Sequence, residues 1–386
     1  MRVIPYGHQN INDDDIRVVE EVLRSDWLTQ GPAVEKFEHA VREICHAAHA
    51  LAVSNATAAL HLACRALDLG PGDYLWTSPN TFVASANCGL YCAARVDFVD
   101  IDEHTYNMSL DALRAKLDVA KRTGRLPKVV IPVHFAGQSC EMRDIRSLAD
   151  QYDFAVIEDA SHAIGGRYLN DPVGSCRWSD ITVFSFHPVK IITTGEGGMA
   201  LTNNAGLDAR MRRLRSHGIT RDRALMEGQG EGDWIYQQID LGYNYRMTDI
   251  QAALGTSQLV RLQTFVARRE ALARRYDMLL ADSSLILPKR HPDCVSANHL
   301  YVVRVLGGSD ERRRIFMGMR QAGINVNVHY IPVHTQPYFR ALGFRYGDFP
   351  NAEAYYDSAI SLPLYFGMSD EDQDRIVGVL KTLVGG

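Results

Sequence analysis

A lysine in apolar surroundings follows a predicted buried strand. The run 181–186 predicts the strand, and Pro188 ends it because proline has no amide proton to give to a neighbouring strand. Lys190 then lies between Val189 and Ile191. Desolvation lowers the pKa of a lysine, and the neutral amine is the form that attacks a carbonyl carbon. Taken alone, however, this segment favours a surface lysine whose stem packs on its neighbours.

Carboxylates follow a second apolar run. Residues 154–157 lead into Glu158 and Asp159, and His162 comes three residues later. In a parallel α/β sheet, ligands bind where the strands end at their carboxyl edge. A helix cap made by Asp159 explains the same residues equally well. The segment therefore leaves a catalytic acid and a structural cap open.

A third segment suits a phosphate. The run 50–54 predicts a strand, and Asn55, Ala56 and Thr57 lead from it into a helix. Small residues at a helix start leave backbone amides free for an anion, although Asn55 could equally be a simple N-cap. No Gly-x-Gly-x-x-Gly follows a strand, which counts against a nicotinamide site, and the glycine-rich run 193–198 lacks the Walker A ending. The polar run 228–232 predicts a mobile loop.

The elements that must position these residues form an α/β pattern. The predicted strands are 50–54, 74–78, 96–101, 129–135, 154–158, 181–186 and 198–202. Several are apolar at successive positions, which favours a large, mostly parallel seven-stranded sheet between helices. The predicted intervening helices are 57–67, 84–92, 110–120 and 142–150. We expect a large domain at 1–250, which includes two N-terminal helices, and a smaller α+β domain at 251–386.

The predicted C-terminal part begins with a long amphipathic pattern. It spans 250–280, and strands are expected at 299–305 and 325–329. Its arginines predict a solvated helix face: Arg268, Arg269, Arg274 and Arg275.

Composition excludes several classes of protein. The 386 residues carry a net charge of -5, which does not suggest a nucleic acid or an anionic membrane as partner. The seven cysteines show neither a CxxC pair nor zinc spacing, so we expect reduced thiols and no metal site. With no signal-peptide pattern and no apolar run near ~18 residues, a soluble cytoplasmic protein is expected.

Taken together, the segments resemble the DegT/DnrJ/EryC1/StrS family of sugar aminotransferases, which are fold-type-I enzymes that use pyridoxal 5'-phosphate (PLP). The resemblance spans nearly the whole chain, and its most specific stretch is FSFHPVKIITTGEGG. Other matching segments are IPYGHQNINDDDI, SDWLTQGP, SNATAALHLA, SPNTFVASAN, VIEDASHAIGG, LGYNYRMTDIQAALG and VHYIPVH.

The resemblance implies a role for each matching residue. Lys190 would form a Schiff base with PLP and shuttle the proton, and Asp159 would pair with the protonated pyridine nitrogen. His162 would lie beside the ring's 3'-oxygen, where many relatives carry glutamine, and Phe82 would stack on the ring. The other implied cofactor contacts are Ala56, Thr57 and Ser185 at the phosphate, and Gln138.

The resemblance also implies a shared active site. Asn244 matches the residue that reaches the phosphate of the neighbouring subunit, and Arg246 would assist, which implies a homodimer. The implied substrate side comprises Tyr6, Thr29, His329, Tyr330 and His334. Some of these residues could instead be ordinary turn or core residues.

The narrower match within the family implies a UDP-linked 2-acetamido-2,6-dideoxy-4-keto-hexose as acceptor and L-glutamate as amino donor. A dTDP- or GDP-linked keto sugar is the alternative within the family. Two alternatives belong to other classes of protein. The missing Gly-x-Gly-x-x-Gly motif counts against a nucleotide-sugar dehydrogenase or epimerase. The presence of Lys190 and Asp159 counts against a non-catalytic binding module.

Overall fold

The computed structural model describes residues 2–228 and 232–385, so part of the loop predicted at 228–232 lies outside the described residues. Its helices are α1 Asp13–Leu23, α2 Pro32–Cys45, α3 Ala56–Ala66, α4 Ala84–Tyr91, α5 Leu110–Thr123, α6 Met142–Tyr152, α7 Ala205–Arg215, α8 Asp249–Val260, α9 Leu262–Leu279, α10 Gly308–Gln321, α11 Pro337–Ala341, α12 Pro350–Tyr356 and α13 Asp370–Val384. Its strands are β1 His49–Val53, β2 Tyr74–Thr77, β3 Arg95–Phe98, β4 Val129–Ile131, β5 Ala155–Asp159, β6 Arg167–Tyr168, β7 Asp171–Pro172, β8 Ile181–Ser185, β9 Gly198–Thr202, β10 Ile219–Thr220, β11 Gln237–Gln238, β12 Cys294–Val295, β13 Tyr301–Arg304 and β14 Ala359–Leu362.

The main sheet has seven strands in the order β1-β9-β8-β5-β4-β2-β3. Strands β8, β5, β4, β2 and β3 are parallel neighbours, whereas β9 runs antiparallel to both β8 and β1. Strand β1 therefore points in the same direction as β8. The mostly parallel seven-stranded sheet predicted from the sequence is confirmed, and the carboxyl ends of six of its strands meet at one edge.

The fourth predicted strand is shorter than expected. The apolar run suggests a strand over 129–135, but β4 ends at Ile131. Pro132 follows and has no amide proton, and residues Phe135–Gly137 then form a 3-10 turn. The other six predicted strands coincide with observed ones, with ends that differ by at most three residues.

A second hydrophobic core lies under the C-terminal elements. The antiparallel pair β13–β14 packs with α10 and α13, and the cluster includes Ile4 from the N-terminus. Ile4 accepts from the amide of Asn325 at 2.8 Å and donates to Gly323 at 2.9 Å. Helix α9 begins in a core cluster of the large sheet with Phe265 and ends in the C-terminal core with Tyr276. Helix α8, which follows the predicted division at 250/251, packs against α1 and α2 from the N-terminal part of the chain. That domain division stays a prediction.

The predicted strand at 325–329 is wrong. Among residues 325–329 there is one isolated bridge, between Asn327 and Ser361. The side chain of Asn327 accepts from the amide of the next residue, Val328, at 2.8 Å, and so competes with strand pairing for that amide. The segment instead forms part of a cavity wall.

The predicted solvated face of the long C-terminal helix is wrong at one position. The pattern forms two helices, α8 and α9, separated at Arg261, and Arg269 on α9 is only 3% exposed. Its guanidinium donates to the carbonyls of Leu364 at 2.9 Å, His299 at 3.2 Å and Asn298 at 3.4 Å. Burial lowers the pKa of Arg269 to about 10. This side chain therefore connects α9 to two loops, one of which places His299 in the wall of that cavity.

Within the described residues, no helix is both long enough and apolar enough to cross a bilayer.

Replacing Arg269 by methionine should lower the free energy of unfolding by about 2–5 kcal/mol, because three backbone carbonyls lose a charged donor. Urea unfolding followed by circular dichroism measures the change. Arg274→Met on the same helix is the matched control, since that side chain is 72% exposed and should change stability by less than about 0.5 kcal/mol. Equal effects for the two variants would contradict the structural role of Arg269.

Candidate active site

A large cavity opens at the carboxyl edge of the sheet. Its volume is about 860 Å³, and it is lined by residues that follow β1, β2, β5 and β8. These strands share one direction, so residues far apart in sequence meet there. The predicted site residues in its wall are Tyr6, Ala56, Thr57, Phe82, Asp159, His162, Ser185, Lys190, His329 and Tyr330.

The start of α3 provides free amides at one end of the cavity. Asn55 is the N-cap: its side chain accepts from the amide of Ala58 at 2.9 Å, and its carbonyl accepts from Ala59 at 3.2 Å. The amides of Ala56 and Thr57 lie outside these bonds, at the positive end of the helix dipole. Gly198 on β9 lets the strand approach this turn, since a Cβ there would lie 2.5 Å from the carbonyl carbon of Asn55. The arrangement suits a phosphate.

Asp159 ends β5 and is held from two sides. Ser85 Oγ donates to Asp159 Oδ2 at 2.6 Å, and the amide of Ser161 donates to Oδ1 at 3.1 Å. The side chain is 6% exposed and lines the cavity. Asp159 therefore does more than cap a helix: it presents a carboxylate to the cavity at the end of a buried strand.

Lys190 lies in the turn that follows β8. Its amide donates to the carbonyl of His187 at 2.9 Å, and its side chain lines the cavity. Burial lowers the pKa of Lys190 to about 8, and the nearby charge of Asp159 only partly opposes this shift. The surface-lysine interpretation is thus wrong. About a tenth of the amine is therefore neutral at pH 7, and the neutral amine is the form that attacks a carbonyl.

Three histidines and a tyrosine lie together in the cavity wall: His162, His299, His329 and Tyr330. Tyr330 Oη lies 3.1 Å from His162 Nε2, and the rings of His162 and His299 are 4.4 Å apart. Burial and the nearby Lys190 lower the pKa of His162 and of His299, and they lower that of His329 to about 4. These imidazoles are therefore neutral. The Nδ1 atoms of His162 and His299 are buried and have no hydrogen-bond partner among the described residues.

Five predicted contacts lie outside the cavity wall of this chain. The structure corrects Gln138: its amide pairs with the backbone of His291 at 2.9 Å and of Lys289 at 3.4 Å, beside a separate small cavity. Thr29 bridges to Thr248 and does not line the cavity. Arg246 bridges to Val53 at the end of β1, and Asn244 bridges to Ser216. Neither residue lines the cavity, and their predicted role in a neighbouring subunit stays a prediction.

His334 is also corrected. It is fully buried, and its Nε2 lies 2.7 Å from Glu353 Oε1, in a structural pair away from the cavity. Phe82, by contrast, lines the cavity with its ring 60% exposed and 6.4 Å from the ring of Tyr330. That open aromatic face is available for stacking.

Sequence reasoning missed several cavity residues. His299 and Asn327 come from the C-terminal part, Tyr91 and Tyr245 from the phosphate end, and Ser85 lies behind Asp159. No local sequence signal points to His299, because its neighbours His162 and Lys190 are more than a hundred residues away. Ser85 stands three residues after Phe82, so its spacing on the same turn was a usable signal.

The comparisons with known proteins agree with this geometry. Residues 9–381 match the model of the DegT/DnrJ/EryC1/StrS aminotransferase family. The chain belongs to this family. The spore coat polysaccharide biosynthesis protein SpsC of Bacillus subtilis is 40% identical over 99% of this chain and 97% of its own. The UDP-4-amino-4,6-dideoxy-N-acetyl-beta-L-altrosamine transaminase of Campylobacter jejuni is 35% identical over 100% and 99% of the two chains.

Among solved structures, the sugar aminotransferase Spr1654 of Streptococcus pneumoniae in its PLP form superposes with a TM-score of 0.90 at 32% identity, with 99% of both chains covered. The protein is thus a fold-type-I sugar aminotransferase that uses PLP. The cavity fits that cofactor: it offers a part-neutral lysine, a fixed carboxylate, free amides at a helix start and an open aromatic face. Among the described residues, no cluster of His, Cys, Asp and Glu suits a metal ion.

In the cofactor-free chain, labelling of Lys190 by a small neutral aldehyde, trapped by reduction, should rise with pH with a midpoint near pH 8, because only the neutral amine reacts. Peptide mapping measures the midpoint, with the exposed Lys381 of α13 as internal reference. Asp159→Asn should move the midpoint of Lys190 lower, since it removes the charge that favours the protonated amine. Coincident midpoints for Lys190 and Lys381 would contradict the desolvated lysine.

Proposed function

We propose that this aminotransferase moves the amino group of L-glutamate to C4 of a UDP-linked 2-acetamido-2,6-dideoxy-4-keto-hexose. The observation that carries the proposal is the 35% identity, over the whole of both chains, with a relative named for the matching 4-amino product. SpsC, whose name places it in polysaccharide synthesis, supports a sugar substrate but names no nucleotide. A cavity of about 860 Å³ is large enough for the keto sugar beside the cofactor.

The cavity residues would divide the work at the cofactor. When bound, PLP supplies an electron sink that makes a proton removable from the carbon bearing the amino group. Lys190 would hold the cofactor covalently between turnovers, and its Nζ would carry the proton during them. Asp159 would face the ring nitrogen, while Ala56, Thr57 and Ser185 would hold the phosphate. The position of these side chains in one cavity supports these roles.

The substrate side would be neutral and hydrogen-bonding. Tyr6, His329 and Tyr330 line the cavity, and burial raises the pKa of both tyrosines above the ordinary value. Neutral hydroxyls and imidazoles can donate to and accept from sugar hydroxyls without placing a fixed charge beside the keto carbon. The same residues also exclude water from the reacting atoms when a sugar is bound.

A second copy of the chain would complete the site. Among the described residues of the cavity wall, Lys190 is the only lysine or arginine, yet glutamate and a nucleotide diphosphate bring several negative charges. The segment 217–243 begins and ends beside the bridge between Ser216 and Asn244. Its side chains Trp234 and Leu241 are each 72% exposed. Such exposed apolar side chains favour an interface. We propose a homodimer in which Asn244 and Arg246 face the partner's cavity.

Incubating the enzyme with L-glutamate and a panel of UDP-, dTDP- and GDP-linked 4-keto-6-deoxy sugars should give an amine only, or fastest, on the UDP-linked 2-acetamido sugar. Mass spectrometry of the products and coupled detection of 2-oxoglutarate measure the rates. Lys190→Ala should abolish transfer, whereas Lys381→Ala on the surface of α13 should leave it unchanged. Preferred turnover of a dTDP- or GDP-linked sugar would overturn the nucleotide assignment but leave the aminotransferase intact.

The shared site can be tested by mixing two inactive variants. Lys190→Ala and Asn244→Ala should each be inactive alone at limiting PLP, because one loses the reacting amine and the other a phosphate contact. If Lys190 and Asn244 of one site come from different chains, the mixed dimer has one site with both residues intact, and activity returns. Continued inactivity of a mixture shown by native mass spectrometry to contain heterodimers would contradict the shared site.

A further inference from the structure

A chain of hydroxyl groups leads to the carboxylate of Asp159, and Thr81 at its far end also lines the cavity. Thr81 Oγ1 and Ser85 Oγ are 2.8 Å apart, and Ser85 Oγ lies 2.6 Å from Asp159 Oδ2. All three side chains are buried, at 2%, 0% and 6% exposure. Thr81 and Ser85 are four residues apart on the turn that enters α4, so their side chains share one face.

The direction of this hydrogen-bond chain follows from counting protons. An ionised carboxylate can only accept, so the single proton of the Ser85 hydroxyl is given to Asp159. The Ser85 oxygen then accepts, and Thr81 donates to it. The other acceptor near Ser85, the carbonyl of Phe82, is 3.4 Å away and is much the weaker partner. Protons are thus donated in one direction, from Thr81 to Ser85 to Asp159.

We infer that Ser85, supported by Thr81, is a positioning residue that fixes the carboxylate of Asp159 toward the ring nitrogen of PLP and keeps the shared proton on that nitrogen. The inference rests on the proposed role of Asp159. With Ser85 on Oδ2 and the amide of Ser161 on Oδ1, the carboxylate cannot rotate about its Cβ–Cγ bond without breaking both hydrogen bonds. The lone pair of the Asp159 carboxylate that remains free to accept a hydrogen bond is then the one that faces the cavity.

The negative charge of Asp159 determines the direction in which loss of the Ser85 hydroxyl would change the protonation of the ring nitrogen. A carboxylate that accepts fewer hydrogen bonds holds a proton more tightly. Without the Ser85 hydroxyl, the proton shared between the ring nitrogen and Asp159 would lie closer to the carboxylate. The ring would then be a poorer electron sink, and proton removal at the substrate carbon would slow while substrate binding stayed nearly the same.

The same turn also carries the aromatic side chain that faces the cofactor space. Phe82 lies between Thr81 and Ser85 in sequence and exposes its ring to the cavity. One short segment would therefore set both the face of the ring and the charge at its nitrogen. The two buried hydroxyls thus lie at the entry to α4, beside the aromatic ring that faces the cavity.

The test is the ¹⁵N resonance of PLP labelled at the ring nitrogen, bound to the enzyme, because this resonance reports protonation independently of turnover. Ser85→Ala should shift it toward the unprotonated position and lower kcat by roughly 10- to 100-fold, with KM nearly unchanged. Thr81→Val keeps the shape but loses the hydroxyl, and should shift the signal in the same direction by less. Thr81→Ser keeps the hydroxyl and should match wild type.

Two control variants distinguish a failure of the positioning role of Ser85 from a failure of the role of Asp159. Ser78→Ala removes another buried hydroxyl, one without a hydrogen-bond partner among the described residues, and should leave the resonance unchanged. Asp159→Asn should give the largest shift, and its absence would overturn the role of Asp159 itself. A shift in Asp159→Asn together with wild-type resonances in Ser85→Ala and Thr81→Val would overturn the positioning role alone. If Ser85→Ala does not fold, Thr81→Val decides.

Discussion

The active site depends on the common direction of the strands in the main sheet. Because β1, β2, β5 and β8 all point the same way, the residues that follow them collect at one edge although they come from positions 55 to 190 of the chain. Strand β9 makes this possible for β1, since two antiparallel pairings in succession restore the original direction. If β1 ran the other way, the free amides of α3 would lie at the opposite edge from Lys190, and no single cofactor could reach both.

A consequence of that geometry is a cavity whose electrostatics are set by burial. Lys190 loses hydration and becomes partly neutral, while Asp159 receives two hydrogen bonds that compensate for the water it has lost. The surrounding histidines stay neutral for the same reason as the lysine. The chain thus places a base and a fixed anion in one pocket, whereas the second acidic side chain in the described wall, Glu196, is exposed.

Much of this could be predicted from the sequence, because the signals were local. Runs of successive apolar residues located all seven strands of the sheet, and the ends of those runs located Lys190, Asp159 and the start of α3. The predictions that failed depend on distant partners. Nothing in the helical pattern of 250–280 shows that Arg269 has carbonyl partners at Asn298, His299 and Leu364.

Two other failures have the same origin. Gln138 follows its strand as a site residue would, but the backbone of 289–291 engages its amide. The apolar alternation at 325–329 resembles a strand, but the side chain of Asn327 accepts the amide proton that a strand partner would need. Tertiary contacts decided both cases, and a single sequence carries no record of them.

Helix α9 constrains how the enzyme can move. Its 18 residues span about 27 Å and insert one end into the core beside the large sheet and the other into the C-terminal core. A rigid rod embedded in two cores opposes rotation of one against the other, since bending it would break backbone hydrogen bonds in its middle turns. Entry of a bulky sugar nucleotide should therefore depend on short displacements of exposed groups around the cavity, such as Phe82. It should not require a large hinge rotation of one core against the other.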